Sequence, residues 1–334
     1  MSNLDNLRAL ALMSVFCHHL NHVYGVPIFF FGTYGGVFGV QLFFLLSGYL
    51  IIQSAKKYPL KTYLIHRICR IFPAYLVIFL SIGLLFDIIN KLSILEHPRE
   101  LLINLTLMQH VFPQALMQFE ILHVSWTLTL EVIWYLLAPF LVWSLYRHPH
   151  ISLIVSITLS SIWASLASAK MLDWLYLSSG IIQDHNRYFF INNAFPAQLC
   201  FFVMGAYLFL QREQLTRIYY AVLVAVYLLI ILFLSRFMHT LTSPSFVTGV
   251  GITALFIIAL KAPSWNSYFL KWIANISYSF YLLHLFILDT AKNRWHWEGT
   301  EGAVEALALI LGLSTLSFYL IEKPMMNLAR RYTT

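Results

Sequence analysis

Long apolar runs, each able to cross a lipid bilayer as a helix, recur along almost the whole chain. A transmembrane helix needs about 20 predominantly apolar residues, and ten segments of the sequence approach or reach that length. The sequence therefore predicts an all-α, polytopic membrane protein with about ten transmembrane helices. The predicted spans are residues 7–24, 35–53, 71–89, 124–146, 151–169, 190–210, 218–235, 246–260, 272–288 and 303–321.

The composition excludes a soluble enzyme. Hydrophobic residues make up 60% of the 334 residues and charged residues only 10%, whereas an ordinary soluble domain has roughly 45–50% and about 25%. Ten spans of about 20 residues leave room only for short loops, so residues 1–334 are predicted to form a single transmembrane domain. Residues 99–110 alternate between apolar and polar side chains, which predicts an interfacial helix instead of a span.

Basic residues are distributed unequally between the two predicted sides of the membrane. If the N-terminus is cytoplasmic, 14 of the 21 Lys and Arg residues fall on the cytoplasmic side. The positive-inside rule then predicts that both termini are cytoplasmic. The formal net charge of +7 is accordingly interpreted as a topology signal, and no nucleic-acid partner is expected.

Three ionisable side chains from three different predicted spans share one depth inside the membrane, where a charge costs roughly 2.5–3.5 kcal/mol. At about 1.5 Å per residue, His19 and His284 both lie about 18 Å from the predicted cytoplasmic surface, and Glu131 lies at roughly the same depth. A neutral imidazole beside a carboxylate is suited to proton abstraction, so His19 and Glu131 are predicted to form a catalytic pair. The alternative is that these groups are buried polar contacts that hold helices together.

A basic cluster is predicted at the cytoplasmic surface. Arg67 and Arg70 are three residues apart just before the third span, so they project from one helical face. Arg8 lies at the same surface, at the base of the first span. Arginine binds phosphate with two parallel hydrogen bonds, which favours a phosphate site, whereas plain topology signalling is the alternative.

Six short motifs occur in a fixed order along the chain. They are Arg8 followed eleven positions later by His19, then GVQLFFLLSGYL at 39–50, RICRIFP at 67–73, WTLTLE at 126–131, SYSFYLLH at 277–284 and YLIEKP at 319–324. In this order they resemble the integral-membrane acyltransferase family 3, the ten-span O-acyltransferases that modify bacterial surface polysaccharides. Gln41 departs from the pattern, because many members carry an acidic residue there. With no hydrolase-like domain following the last span, the chain is expected to be a stand-alone member.

The resemblance implies an acyltransferase in the cytoplasmic (inner) membrane. It moves an acyl group, acetyl in the first instance, from cytoplasmic acyl-CoA to a hydroxyl of a cell-surface glycan such as the O-antigen of lipopolysaccharide. The co-substrate is acetyl-CoA or another acyl-CoA, no metal is expected, and the acceptor is a glycan or a lipid-linked glycan. Membrane lipid is the surrounding partner. Transfer to the acceptor can be direct or can pass through an acyl group on His19.

The residues of the expected site follow from the same motifs. His19 and Glu131 are the catalytic residues, and the acyl-CoA phosphates rest on arginines. Ser47 with Gly48 is interpreted first as a close-packing point and second as an acyl carrier. The remaining assignments are Arg8, Arg67 and Arg70 for binding acyl-CoA, and Ser47, Trp126, Ser277 and His284 for lining the substrate site.

Two other classes of function remain open from the sequence. A multi-pass proton-coupled transporter of an anionic or lipid-linked substrate would also use histidine and glutamate inside the membrane, although no internal repeat is visible. A scaffold in a polysaccharide-assembly complex is the third possibility. If the chain is an enzyme, acceptor choice is expected in the outer loop at 172–188, where Trp174 and Tyr176 are available to stack on sugar.

Overall fold

The computed structural model describes residues 2–88, 94–177, 184–214, 244–263 and 266–332. Within these ranges the chain is helical and contains no β-strand, which confirms the predicted all-α class. The predicted span at 218–235 lies outside the described residues. The helices are α1 Ser2–Tyr24, α2 Phe31–Lys57, α3 Leu60–Leu85, α4 Pro98–Leu105, α5 Pro113–Gln118, α6 Trp126–Arg147, α7 Pro149–Ser168, α8 Trp174–Leu177, α9 Asp184–Asn192, α10 Phe195–Gln211, α11 Pro244–Lys261, α12 Tyr268–Asn293, α13 Gly299–Ser317 and α14 Lys323–Arg331.

Six helical stretches in the described part of the chain are long and apolar enough to cross a membrane. They fit a multi-pass membrane protein. Two further helices, α1 and α12, have 23 and 26 residues and carry the two histidines predicted to lie inside the membrane. The six stretches are Phe31–Lys57, Leu60–Leu85, Trp126–Arg147, Pro149–Ser168, Asn186–Gln211 and Gly299–Arg331.

Three predicted segments differ from the structure. Helix α3 begins eleven residues before the predicted span at 71–89, so Arg67 and Arg70 lie within the helix and not before it. The span predicted at 190–210 is interrupted, because α10 begins at Phe195 with Pro196 in its first turn. The interfacial helix predicted at 99–110 ends at Leu105, where the left-handed backbone of Leu107, with φ of 58°, cannot continue a helix.

Glycines allow α2 to pack closely between α1 and α10. A β-carbon added to Gly39 would lie 2.4 Å from the carbonyl oxygen of Ala11 in α1. On the other side, a β-carbon on Gly48 would lie 1.9 Å from the carbonyl oxygen of Phe202, and one on Gly205 would lie 2.0 Å from that of Leu45. Such backbone-to-backbone contact needs small residues. Helix α2 is therefore held in register on both sides.

Helix α12 packs against α1 and against the final helical segment. The rings of Phe16 and Phe280 lie edge to face at 5.4 Å between centroids. Between α13 and α14 the backbone forms one π-helical turn, Phe318–Glu322, a local widening that is often found at functional sites. This turn brings the buried carboxylate of Glu322 against Ser279 of α12, whose Oγ lies 2.6 Å from Glu322 Oε1.

Candidate active site

Helices α1, α2, α3, α6 and α12 line a cavity of about 160 Å³. Its walls are mostly apolar or tyrosine side chains. All three arginines predicted to bind acyl-CoA line it, although they are distant in sequence. The charged and hydroxyl-bearing predicted site residues in the wall are Arg8, Ser47, Arg67, Arg70, Glu131 and Ser277.

Two of the three arginines already have a carboxylate partner. Arg8 Nη1 lies 3.1 Å from Asp5 Oδ1, in a pair that is partly exposed. Arg70 Nη1 lies 3.0 Å from Glu322 Oε2, whose side chain has 0% exposure. A buried carboxylate is stable only when it is paired and hydrogen-bonded. The ion pair with the buried Glu322 therefore holds Arg70 at the cavity wall.

Arg67 is bound differently. Its Nη2 donates to Ser54 Oγ at 3.3 Å, and its guanidinium lies 5.9 Å from the ring centre of Tyr135. Its Nε is buried and has no hydrogen-bond partner among the described residues. An unpaired buried donor is costly, and a charged one is available to an anion. Arg67 is thus the arginine of the cavity best suited to bind a phosphate.

Glu131 lies in the cavity wall but bonds within its own helix. Its Oε2 accepts a hydrogen bond from the hydroxyl of Tyr135, one turn later, at 3.0 Å. The predicted contact between Glu131 and His19 is absent from the described hydrogen bonds. Residues four apart on a helix are neighbours, so the hydroxyl of Tyr135 provides Glu131 with a hydrogen-bond partner on its own helix.

His19 instead contacts His284. Nδ1 of His19 lies 2.8 Å from Nε2 of His284, and Nδ1 of His284 lies 2.7 Å from the carbonyl oxygen of Tyr281. A carbonyl oxygen only accepts, so a neutral His284 carries its proton on Nδ1 and accepts at Nε2. His19 then donates from Nδ1. This hydrogen-bond network assigns an unprotonated Nε2 to His19, the form that a general base needs.

The histidine pair lies beyond one end of the cavity. Tyr281 lines the cavity, and His284 follows it by three residues, about 4.5 Å along the helix. The ring centroids of Tyr281 and His284 lie 5.5 Å apart. On the side of α2, a β-carbon on Gly36 would meet the ring of His18 at 2.7 Å, so the histidines lie near the start of α2. The sequence therefore predicted one site where the structure has two adjoining parts.

Trp126 does not line the cavity. Its ring packs against His110 and Phe189 at centroid distances of 5.5 and 5.3 Å, on the side of the 98–125 segment. Its backbone N–H donates to Glu120 Oε1 at 3.2 Å, so the Glu120 carboxyl provides a hydrogen-bond acceptor for the first backbone N–H of α6. The next residue, Thr127, reaches the cavity and donates to the hydroxyl of Tyr281 at 3.0 Å.

The 98–125 segment contains a buried polar cluster outside the membrane-spanning helices. Ser125 Oγ donates to Glu120 Oε1 at 2.7 Å and receives a hydrogen bond from Gln109 Nε2 at 2.9 Å. Burial raises the pKa of Glu120 from 4.5 to about 7, against the opposing effect of these hydrogen bonds. Burial also lowers the pKa of His110 to about 4, so both groups favour their neutral forms.

The loop predicted to select the acceptor is described only in part, because residues 178–183 are outside the described ranges. Trp174 is 65% exposed and available for stacking. Tyr176 is fully buried, so the prediction that it stacks on sugar is wrong. Asp173 is paired with Arg187. Among the described residues, no group of three or more His, Cys, Asp or Glu side chains is arranged to hold a metal ion.

Several residues of the site were not predicted from the sequence. Tyr135 could have been identified from its position four residues after Glu131. Glu322 could have been identified as an acidic residue in an apolar run. Tyr278, whose hydroxyl donates to the carbonyl oxygen of Ile71 at 2.9 Å, and Tyr281 both lie in the motif at 277–284, which was the signal that could have identified them.

Comparison with known proteins identifies a family. The family model described as “Acyltransferase domain” matches residues 1–323, which confirms the resemblance seen in the motifs. A protein named “Putative O-acetyltransferase” from Staphylococcus aureus strain MSSA476 is 23% identical over 97% of this chain and 57% of its own length. The chain therefore spans a little over half the length of this curated relative.

Two further relatives match shorter regions. “Peptidoglycan O-acetyltransferase OatA” of Listeria monocytogenes is 34% identical over 110 residues, which are 31% of this chain and 15% of the relative. “Putative peptidoglycan O-acetyltransferase YrhL” of Bacillus subtilis is 38% identical over 94 residues, or 25% and 14% of the two chains. No solved structure matches the chain.

Proposed function

The chain belongs to the acyltransferase family whose model covers residues 1–323, and we propose that it is a membrane O-acetyltransferase that uses acetyl-CoA. The acceptor is a hydroxyl group of a cell-surface glycan, of which O-antigen is one example. The family supports the acyl transfer, and the O-acetyltransferase names of the relatives support acetyl and a hydroxyl acceptor. The donor and the glycan are the parts that the proposal adds.

One observation carries the proposal: an elongated cavity has a cation at one end and a base beyond the other. The α2 residues of its wall extend from Val40 to Ile51, about 16 Å of helix. Arg67 is the cation, with an Nε that has no hydrogen-bond partner among the described residues, and His19 is the base. An acyl-CoA has the same layout, with phosphates at one end and a thioester at the end of an extended arm.

In the proposed reaction, Nε2 of His19 removes the proton from the acceptor hydroxyl. The hydroxyl oxygen attacks the thioester carbonyl, the new carbon–oxygen bond forms, and the carbon–sulfur bond breaks. The leaving thiolate takes the proton from His19 Nε2, which restores the starting tautomer. Throughout, His19 Nδ1 donates to His284, so the charged imidazolium is stabilised by a neutral partner. A route in which His19 first accepts the acyl group uses the same nitrogen.

Glu131 has a different proposed role from the one its motif suggested. Its carboxylate bonds to Tyr135 and lines the cavity, so we assign it to the donor arm and not to His19. The donor enters from the end of α2 that carries Lys56 and Lys57, which the positive-inside rule predicts to be cytoplasmic. The acceptor approaches from the opposite end, on the side of His19.

The test is acetyl-CoA binding and turnover by the purified protein in nanodiscs, with extracted surface glycan as acceptor. We expect free coenzyme A to be released by the unchanged protein. His19→Ala should bind acetyl-CoA normally and lose turnover by at least about a hundredfold. His22→Ala, an exposed histidine on the same helix, is the matched control and should keep full activity. Absence of acetyl-CoA binding by the unchanged protein would refute the donor, and turnover by His19→Ala would refute the base.

A further inference from the structure

We propose that Ser47 forms a hydrogen-bonding subsite, in which its hydroxyl donates to an amide carbonyl in the extended arm of the acyl donor. The inference rests on the proposed function, because it assumes a donor with an amide-containing arm such as pantetheine. It adds a residue midway along the cavity, between the end that binds phosphate and the end that transfers the acyl group.

The first observation is an unused hydroxyl. Ser47 Oγ is buried and has no hydrogen-bond partner among the described residues, and the residue is only 8% exposed. A serine inside a helix usually bonds back to a carbonyl oxygen three or four residues earlier. Ser14 does so, to Leu10 at 2.7 Å, and Ser277 bonds to Ala274 at 2.8 Å. Ser277 shares the cavity with Ser47, yet of these three serines Ser47 alone has a hydroxyl with no hydrogen-bond partner among the described residues.

The second observation separates Ser47 from its neighbour. Gly48 makes the close contact with α10, where a β-carbon would lie 1.9 Å from the carbonyl oxygen of Phe202. Successive residues on a helix point about 100° apart, and Ser47 lines the cavity. The pair interpreted from the sequence as one packing point therefore has two functions. Gly48 packs, and by fixing α2 it also fixes the position of Ser47.

The third observation is a regular spacing along α2. Val40, Ser47 and Ser54 are seven residues apart, so they lie on one face at intervals of about 10.5 Å. Ser54 Oγ accepts from Arg67 at 3.3 Å, which marks the cationic end. Val40 lines the cavity at the end nearer the histidines. A chain extended from Arg67 towards His19 passes Ser47 halfway. The other α2 residues that line the cavity are apolar, so polar groups of the chain need a partner on this side.

The experiment measures the affinity of Ser47→Ala in nanodiscs for three ligands. Coenzyme A and acetyl-CoA carry the arm, whereas adenosine 3′,5′-bisphosphate has the nucleotide phosphate without it. Loss of one neutral hydrogen bond should weaken both arm-bearing ligands by roughly threefold to tenfold and leave the bisphosphate unchanged. Ser14→Ala, which removes a buried hydroxyl that is already bonded to the backbone, is the matched control and should bind all three normally.

Each other outcome has a defined meaning. Unchanged coenzyme A affinity in Ser47→Ala would overturn the subsite and leave the proposed function standing. Equal weakening of the bisphosphate would also overturn it, because the defect would then lie in the fold or the phosphate end. Failure of the unchanged protein to bind coenzyme A would overturn the donor together with the subsite. If Ser47→Ala does not fold, Ser47→Cys replaces it, with a weaker donor of similar size and the same expected pattern.

Discussion

Nδ1 of His19 and Nε2 of His284 lie 2.8 Å apart, and this contact joins two helices whose residues are 265 positions apart in sequence. The carbonyl oxygen of Tyr281 accepts a hydrogen bond from His284 Nδ1. This contact determines which nitrogen of each histidine carries the proton. In the proposed reaction His284 is therefore a positioning residue. It holds the ring of His19 in one tautomer and leaves Nε2 free for the reaction.

The role of His284 predicts different results for two substitutions. His284→Leu removes the acceptor, so kcat should fall by more than about tenfold with little change in KM for acetyl-CoA. His284→Gln can keep an acceptor oxygen near His19 Nδ1 and should recover much of the loss. Nitrogen-15 NMR of labelled histidine should show His19 protonated on Nδ1 in the unchanged protein. Equal activity of the two variants would contradict the positioning role.

Arg67 should determine donor affinity. Its Nε lacks a partner among the described residues, and a hydrogen bond from a charged group contributes about 1.5–3 kcal/mol. Arg67→Ala is expected to weaken acetyl-CoA binding by roughly tenfold or more and to leave the KM for the glycan unchanged. Lys61→Ala, an exposed basic residue near the start of the same helix, is the control for general charge effects. A loss that is equal in both variants would refute a specific phosphate contact.

Arg70 should matter more for stability than Arg67 does. Arg70→Ala leaves the buried carboxylate of Glu322 without its cation, and breaking such a pair costs about 3–5 kcal/mol. The Tm in detergent should therefore fall clearly, and the double variant Arg70→Ala with Glu322→Gln should regain part of it. Asp5→Asn breaks the partly exposed pair with Arg8 and should change stability by about 1 kcal/mol or less. If the double variant is no more stable than Arg70→Ala, loss of the ion pair is not the cause of the fall in Tm.

Glu120 should make stability depend on pH. Its pKa is raised from 4.5 to about 7 by burial, so folding favours the protonated carboxyl. The native state then loses stability as pH rises from 4.5 to about 7, and the loss is complete above that range. Glu120→Gln keeps an acceptor for Ser125 without the charge, and it should raise the Tm at pH 8 and have little effect at pH 5. Glu96→Gln, at an exposed position, should change neither value, and an equal shift at both pH values for Glu120→Gln would contradict the burial.

The sequence predicted the helices, and the common level of His19 and His284, better than it predicted the partners of buried groups. Apolar runs locate helices because the bilayer selects for them, yet α3 extends past Arg67 and Arg70, where charge ends the run but not the helix. His19 and His284 were placed at one depth, because the rise per residue is constant, and they are in contact. Glu131 bonds to Tyr135 instead, since depth along an axis does not specify which neighbour a side chain faces. The prediction that Trp126 lines the site is wrong for the same reason. Its ring faces His110, and the next residue, Thr127, faces the cavity.

The glycine contacts of α2 also decide where this protein can be redesigned. On the side of α2, backbone touches backbone at Gly39 and Gly48, so any added atom must displace a whole helix. The cavity itself is lined by side chains such as Leu128 and Tyr281, which can be shortened without moving a backbone. Space for a longer acyl group should therefore be made by shortening cavity-lining side chains, with the glycines of α2 left unchanged.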